Sequence, residues 1–241
     1  MGIGELVCGK PDAEWSASDT FIHYTSLLNR FHEKLKEYRA DLAKPEAAMF
    51  AAFCARVILE NSATILSGRL DPFRMMAIRS FQSQRDFDHG KQLKAGYKWT
   101  PDVVPMENET NIWKKDVEGS KLSRALFSPY FEELFWRPAF TNAVDYVDDN
   151  GFVRSELMQT MEPDQFIGRM KSELSRLYSV LSKGVHWDYL APEAILDPDT
   201  LLVALDDSQS YVALLAFTSH FIPTSYGRIA KSQAYQLYSE I

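Results

Sequence analysis

Apolar positions recur at three- and four-residue intervals over most of the chain, and nowhere in sustained alternation, so the pattern predicts an all-α protein. The stretch from Ala47 to Gly68 is apolar on nearly every side for about five turns, as expected of a helix enclosed by others. Only Arg56 and Glu60 interrupt it before Asn61, and their i,i+4 spacing puts them on one face, where each can neutralise the other. Ahead of it, Phe21, Tyr24, Leu28, Phe31, Leu35 and Tyr38 mark an amphipathic helix, capped by Ser18 or Asp19 and running to about Ala43, after an irregular N-terminal arm.

Asp71 is placed to cap a third helix with Pro72 in its first turn, running through Phe73, Met76, Ile78 and Phe81 to roughly Leu93. Residues Lys94 to Thr110 read as a long ordered loop that Trp99, Val103 and Val104 pin to the body. The aromatic-rich middle predicts short helices: one ending near Phe127, one from Ser128 through Trp136, and one from Ala139 to Val147, stopped by Asp149-Asn150-Gly151. Its large rings are expected in the core or at an interface. Phe166, Met170, Leu174, Leu177, Leu181 and Val185 then define a clear helix. Asp197-Pro198 opens another that Pro223 stops, and a last amphipathic helix spans about Ser225 to Tyr238. The expectation is a single helical-bundle domain over residues 1–241, of about seven to nine helices. The segment 94–110 is its one candidate sub-lobe boundary.

Composition narrows the setting. A hydrophobic fraction of 46% with 24% charged residues is ordinary for a soluble globular protein, and a net charge of -7 supplies no overall attraction to nucleic acid. Cys8 and Cys54 are the only cysteines, one in the N-terminal arm and one inside the enclosed helix, so no disulfide is expected and the cytoplasm is the predicted location. The start MGIGELVCGKPD lacks a basic region followed by an apolar run. Residues 208–227 carry no formal charge over a membrane-spanning length, but Gln209, Thr218, His220 and Thr224 predict a buried helix instead, and no membrane partner.

Four groups could carry chemistry. Ser175, Ser179, Ser182 and His186 form one polar stripe, which ends beside Trp187 and Asp188 and puts an imidazole at a helix C-terminus, a position that favours its protonated form. The structural alternative is that the serines allow close packing and His186 satisfies the last carbonyls. With Arg176, this late-helix pattern resembles the HEPN group of bacterial helical-bundle proteins, many of which are ribonucleases or act in toxin–antitoxin and phage-defence systems. The resemblance implies His186 as general acid/base and Arg176 as a phosphate or transition-state ligand, at a dimer interface, with RNA as substrate. Nine residues separate Arg176 from His186, wider than in the active members' motif and about 15 Å along a continuous helix.

The second group is an anion site where Arg69 and Arg74 meet at the helix that Asp71 caps, with pairing to Asp71 as the structural alternative. The third is the Arg56 and Glu60 pair, which either fixes helix register or opens onto a cleft. Ser182 and Asp188 complete the candidate binding residues. The fourth is a metal: Asp86 and His89 stand at i,i+3, but a di-metal carboxylate bundle needs two such pairs, so no metal is expected, and no sequence motif implies a cofactor. The leading expectation is a soluble binding or regulatory protein that recognises itself or a protein partner. The alternative is a metal-independent ribonuclease using His186.

Overall fold

The computed structural model describes residues 2–12, 14–15, 17–85, 87, 96–105, 123–185 and 197–241. The chain is all-α, with no strand among the described residues. Among the described residues ten α-helices follow in order: α1 (Ile3–Cys8), α2 (Ser18–Arg39), α3 (Pro45–Leu70), α4 (Pro72–Gln82), α5 (Pro129–Phe131), α6 (Arg137–Asp149), α7 (Glu156–Gln159), α8 (Phe166–Val185), α9 (Pro198–Ser219) and α10 (Lys231–Ser239).

Helix α3 is the axis of the bundle, in contact with α1, α2, α4, α8 and α9. Small side chains make this possible: Ala51, Ala52, Ala55 and Ala63 are all buried, so neighbouring helices can approach its backbone closely. It is not enclosed on every side, however. Phe50 is 44% and Phe53 41% exposed, covered only in part by rings of α2, where Tyr38 stacks on Phe50 at 5.3 Å and Phe31 meets Phe53 edge-on at 6.0 Å. Among the described residues α3 is also the one helix long and apolar enough to cross a membrane, and 56% of its most apolar window is buried inside the protein.

Helices α8 and α9 form where their patterns place them, whereas the last helix begins only at Lys231 and not near Ser225. Phe166, Met170, Leu174, Leu177 and Leu181 of α8 are all buried, and the Asp197 carboxylate caps α9 by accepting from Thr200 N at 3.0 Å. Asp71 likewise caps α4, accepting from Arg74 N at 3.0 Å. Trp136 and Phe140 of the aromatic quarter are fully buried, and Phe140 stacks on Phe166 at 4.4 Å.

Four further expectations are corrected. Helix α2 ends at Arg39, and Ser18 lies inside it, its Oγ donating to Asp12 O instead of capping. Helix α4 ends at Gln82 and buries only Met75, leaving Phe73 76% exposed. Residues 129–149 run as one path through α5, a wide turn at Glu132–Trp136 and α6, so Pro138 starts no separate helix, and 123–127 is not helical. The N-terminal arm is not irregular: α1 is a buried helix carrying Cys8.

What holds α1 in place is Arg69, fully buried in the last turn of α3. Its Nε donates to Tyr226 O at 2.8 Å, and its Nη1 to Val7 O at 3.1 Å and Ser219 Oγ at 2.7 Å. Its Nη2 lies 3.2 Å from His220 Nδ1, and His220 Nε2 lies 2.8 Å from Leu6 O. A carbonyl cannot donate, so His220 carries its proton on Nε2 and accepts at Nδ1. Among the described residues no carboxylate pairs with Arg69. The charge is instead met by the C-terminal ends of α1, α3 and α9, where unsatisfied carbonyls concentrate negative potential. Burial pulls the Arg69 guanidinium down to about 10, which still leaves it charged at neutral pH.

Burial and the adjacent Arg69 charge hold His220 well below the ordinary 6.5, and burial lowers His32, whose Nε2 sits 2.9 Å from Gln209 Oε1. Both rings fold neutral, so between their lowered values and about 6.5 the unfolded chain binds protons that the folded protein refuses. Their contribution to stability is therefore complete above about pH 6.5 and is lost as the pH falls. Urea midpoints at pH 7 and pH 5 should differ in favour of pH 7, and a flat profile over that interval would contradict the neutral assignment.

Candidate binding cleft

Four polar residues in the middle of α3 stand on one side of it. Arg56, Glu60, Asn61 and Thr64 follow at intervals of four, one and three on a mostly apolar helix. Glu60, Asn61 and Thr64 face a cleft of about 460 Å³, whose opposite wall is the Met75, Ile78, Arg79 and Gln82 face of α4. Thr20 and Tyr24 of α2 close one end, and Tyr97, Trp99 and Tyr178 form the remaining side.

The aromatic side is built from two directions. Arg56 Nε donates to Glu60 Oε1 at 3.2 Å while its Nη2 reaches Tyr178 Oη at 3.2 Å, and the guanidinium lies 4.8 Å from the centre of the Tyr178 ring. Trp99 stacks on Tyr178 with centroids 4.7 Å apart and planes 8° from parallel. Trp99 is positioned by the wide turn 99–103, which closes through Val104 N to Trp99 O at 2.8 Å. Buried Asp102 fixes this turn by accepting from Lys98 N at 2.8 Å and from Arg74 of α4. Arg74 also lies over the Tyr97 ring at 5.2 Å. The ion pair thus ties α4 to the turn along the back of the cleft.

Burial pushes the hydroxyls of Tyr24 and Tyr97 up, so both remain protonated. Among the described residues Tyr97 Oη has no hydrogen-bond partner, and burying such a group without one costs free energy. Cys8 and Cys54 are free thiols whose ionisation burial pushes up to about 11, which suits neither for nucleophilic work near neutral pH.

The structure separates the residues singled out from sequence. Arg56 and Glu60 pair as expected and are half-buried, with side-chain exposures of 15% and 38%. Arg69 and Arg74 do not meet: one is locked in the core and the other is bound to Asp102. Asp71 takes the Arg74 backbone amide and lies 3.6 Å from Arg124. Arg176 is exposed and its fork is occupied by two carboxylates, Glu173 at 2.8 Å and Asp207 at 2.7 Å, both of which a phosphate would have to displace. The serines of α8 bond back to their own helix, Ser179 to Ser175 O at 3.0 Å and Ser182 to Tyr178 O at 2.5 Å. His186, Asp188, Asp86 and His89 lie outside the described residues.

A larger hollow of about 700 Å³ lies beside α7, α9 and α10, but its Asp206, Asp207, Arg169 and Tyr238 are all bonded within the protein. Sequence reasoning reaches Arg56, Glu60 and Trp99. It misses Asn61 and Thr64, which continue the same polar stripe, and Tyr178, whose helical position marks it only as one more half-apolar residue. Comparison with protein-family models, with curated proteins and with solved structures returns no match for this chain.

Proposed function

We propose that the protein is a soluble helical binding protein whose ligand enters the cleft between α3 and α4. The observation that carries this reading is the gap itself. Ile78, Arg79 and Gln82 of α4 line the cleft together with Glu60, Asn61 and Thr64 of α3, while Met75 of the same helix is buried against Gly68 of α3. A helix that served only to stabilise the bundle would close such a gap, because an unfilled space forfeits dispersion contacts on both sides. A volume near 460 Å³ with aromatic walls and a few convergent polar groups is what small-ligand sites offer.

Thr64→Trp would fill the cleft from its α3 wall. Native mass spectrometry of the protein incubated with a small-molecule cell extract should give a bound adduct that this variant lacks. An unmodified protein that takes up nothing, or an adduct equally retained by Thr64→Trp, would count against the cleft. The ribonuclease alternative depends on Arg176 and His186. RNA cleavage by the unmodified protein that disappears in His186→Ala would replace the binding reading.

A further inference from the structure

We propose that the hollow of about 700 Å³ beside α7, α9 and α10 is a second binding site, separate from the cleft, and that it takes a small apolar monocarboxylate. The residue that points to an anion is Arg169 of α8, half-buried in the lining. Its Nε donates to Tyr211 Oη at 3.3 Å, and its Nη1 to Thr160 O at 3.0 Å and Thr160 Oγ1 at 3.4 Å. These bonds fix the guanidinium at the end of α7, but every acceptor is neutral, and among the described residues no carboxylate pairs with it. The other arginine of the hollow, Arg154, is instead gripped through two nitrogens by Asp148.

A fixed cation without a counter-ion selects the sign of its ligand. Any molecule that fills the hollow strips water from Arg169, and only one that brings negative charge offsets that loss. Tyr211 adds a second donor beside it. Its oxygen accepts from Arg169, which leaves the hydroxyl proton for another acceptor, and among the described residues none takes it. A guanidinium N–H and a phenol O–H on neighbouring groups suit the two oxygens of a carboxylate, through charge-assisted hydrogen bonds.

The rest of the lining limits the charge and sets the body of the ligand. Asp206 and Asp207 on the α9 wall each answer an arginine from outside the hollow, Arg39 and Arg176, and Glu156 of α7 is exposed. These carboxylates repel a phosphate, which carries more negative charge, more strongly than they repel a single carboxylate. The hydroxyls of Tyr235 and Tyr238 are committed to Val153 O and Ser155 Oγ. What these two residues offer, with Leu157 and Ala213, is carbon surface for an apolar body.

Isothermal calorimetry with phenylbutyrate, phenylbutanol, phenylbutylamine and phenyl phosphate tests the assignment, the first three sharing one body and differing in charge. Phenylbutyrate should bind, and the alcohol and the amine should bind about tenfold more weakly or worse. Arg169→Gln should weaken phenylbutyrate by about tenfold or more and leave phenylbutanol nearly unchanged, and Tyr211→Phe should weaken phenylbutyrate by a smaller factor. Arg169 also holds the end of α7, so Ser210→Trp provides a second variant: from an exposed position on the α9 wall it blocks the hollow without removing the guanidinium. It should abolish phenylbutyrate binding, whereas Thr64→Trp, which fills the cleft, should not affect it. No uptake of phenylbutyrate, tighter binding of the alcohol, the amine or phenyl phosphate, or phenylbutyrate binding that survives Ser210→Trp would each overturn the assignment. The cleft is tested separately, by the cell-extract adduct and its loss in Thr64→Trp, so either site can fail alone.

Discussion

Replacing Arg69 with methionine is expected to lower the unfolding free energy by about 3–5 kcal/mol, the range seen when one side of a buried charged network is removed. Methionine fills much of the same volume but donates nothing. Val7 O, Tyr226 O and Ser219 Oγ would each lose a donor in a site with no access to water, and His220 Nδ1 would keep only its longer bond from Ile229 N at 3.3 Å. For a chain of this size the loss corresponds to a fall in melting temperature of roughly 10 °C. Arg69→Lys is the informative companion. It keeps the charge, but an ammonium radiates its protons from a single atom and cannot span the separate acceptors that the planar fork reaches. Most of the loss should therefore persist in the lysine variant. Urea unfolding would measure both, and a lysine variant within about 1 kcal/mol of the parent would mean that charge at the helix ends, and not the geometry of the fork, secures the site.

Gly9→Ala should be nearly as damaging, by a different route. Gly9 follows α1 at φ 67° and ψ -150°, a region open in practice only to glycine, and Lys10 N donates to Gly227 O at 2.8 Å just beyond it. A Cβ at Gly9 would stand 1.9 Å from that same Gly227 carbonyl oxygen. Backbone faces backbone there, so no side chain can rotate aside, and the segment at 225–230 must move away from α1. The expected cost is about 3 kcal/mol or more, the sum of dihedral strain and overlap. Gly151→Ala separates the two contributions, because Gly151 has φ 66° but a Cβ there would meet nothing within 4 Å. It should lose only about 1 kcal/mol. Equal losses at the two positions would remove the contact with Gly227 as the reason for the difference.

The parts of the fold legible in the sequence are those whose signal is local and repeated. Helices α3, α8 and α9 each carry several turns of apolar spacing, and Asp71 and Asp197 announce the starts of α4 and α9. Helix α1 is illegible because six residues are too few to show a period, and part of its burial comes from partners far along the chain, at the end of α9 and in the segment around Tyr226. Arg69 misleads for the same reason. Three residues before a proline-led helix it resembles part of an anion site, but its place in the last turn of α3 turns it toward groups about 150 residues away. The cleft is half legible. Arg56 and Glu60 stand out because charge in an apolar helix needs a reason, whereas the facing wall is supplied by α4, whose exposed Phe73 and Phe81 make the wrong face look like the buried one.

The position of Arg69 also has a meaning for the order in which the protein is made. Its Nε partner, Tyr226 O, lies 157 residues downstream. At ordinary rates of translation that distance takes on the order of 10–30 s to synthesise. Throughout that interval the nascent chain holds α1, α2 and α3 but not the carbonyl, hydroxyl and imidazole that complete the guanidinium's surroundings. An arginine cannot be enclosed until those partners exist, so the end of α3 stays hydrated and α1 can settle only against α2 and the body of α3. Closure over Arg69 is thus a late event of biogenesis, and a ribosome stalled before Tyr226 would carry a chain whose first helix is still accessible to proteases.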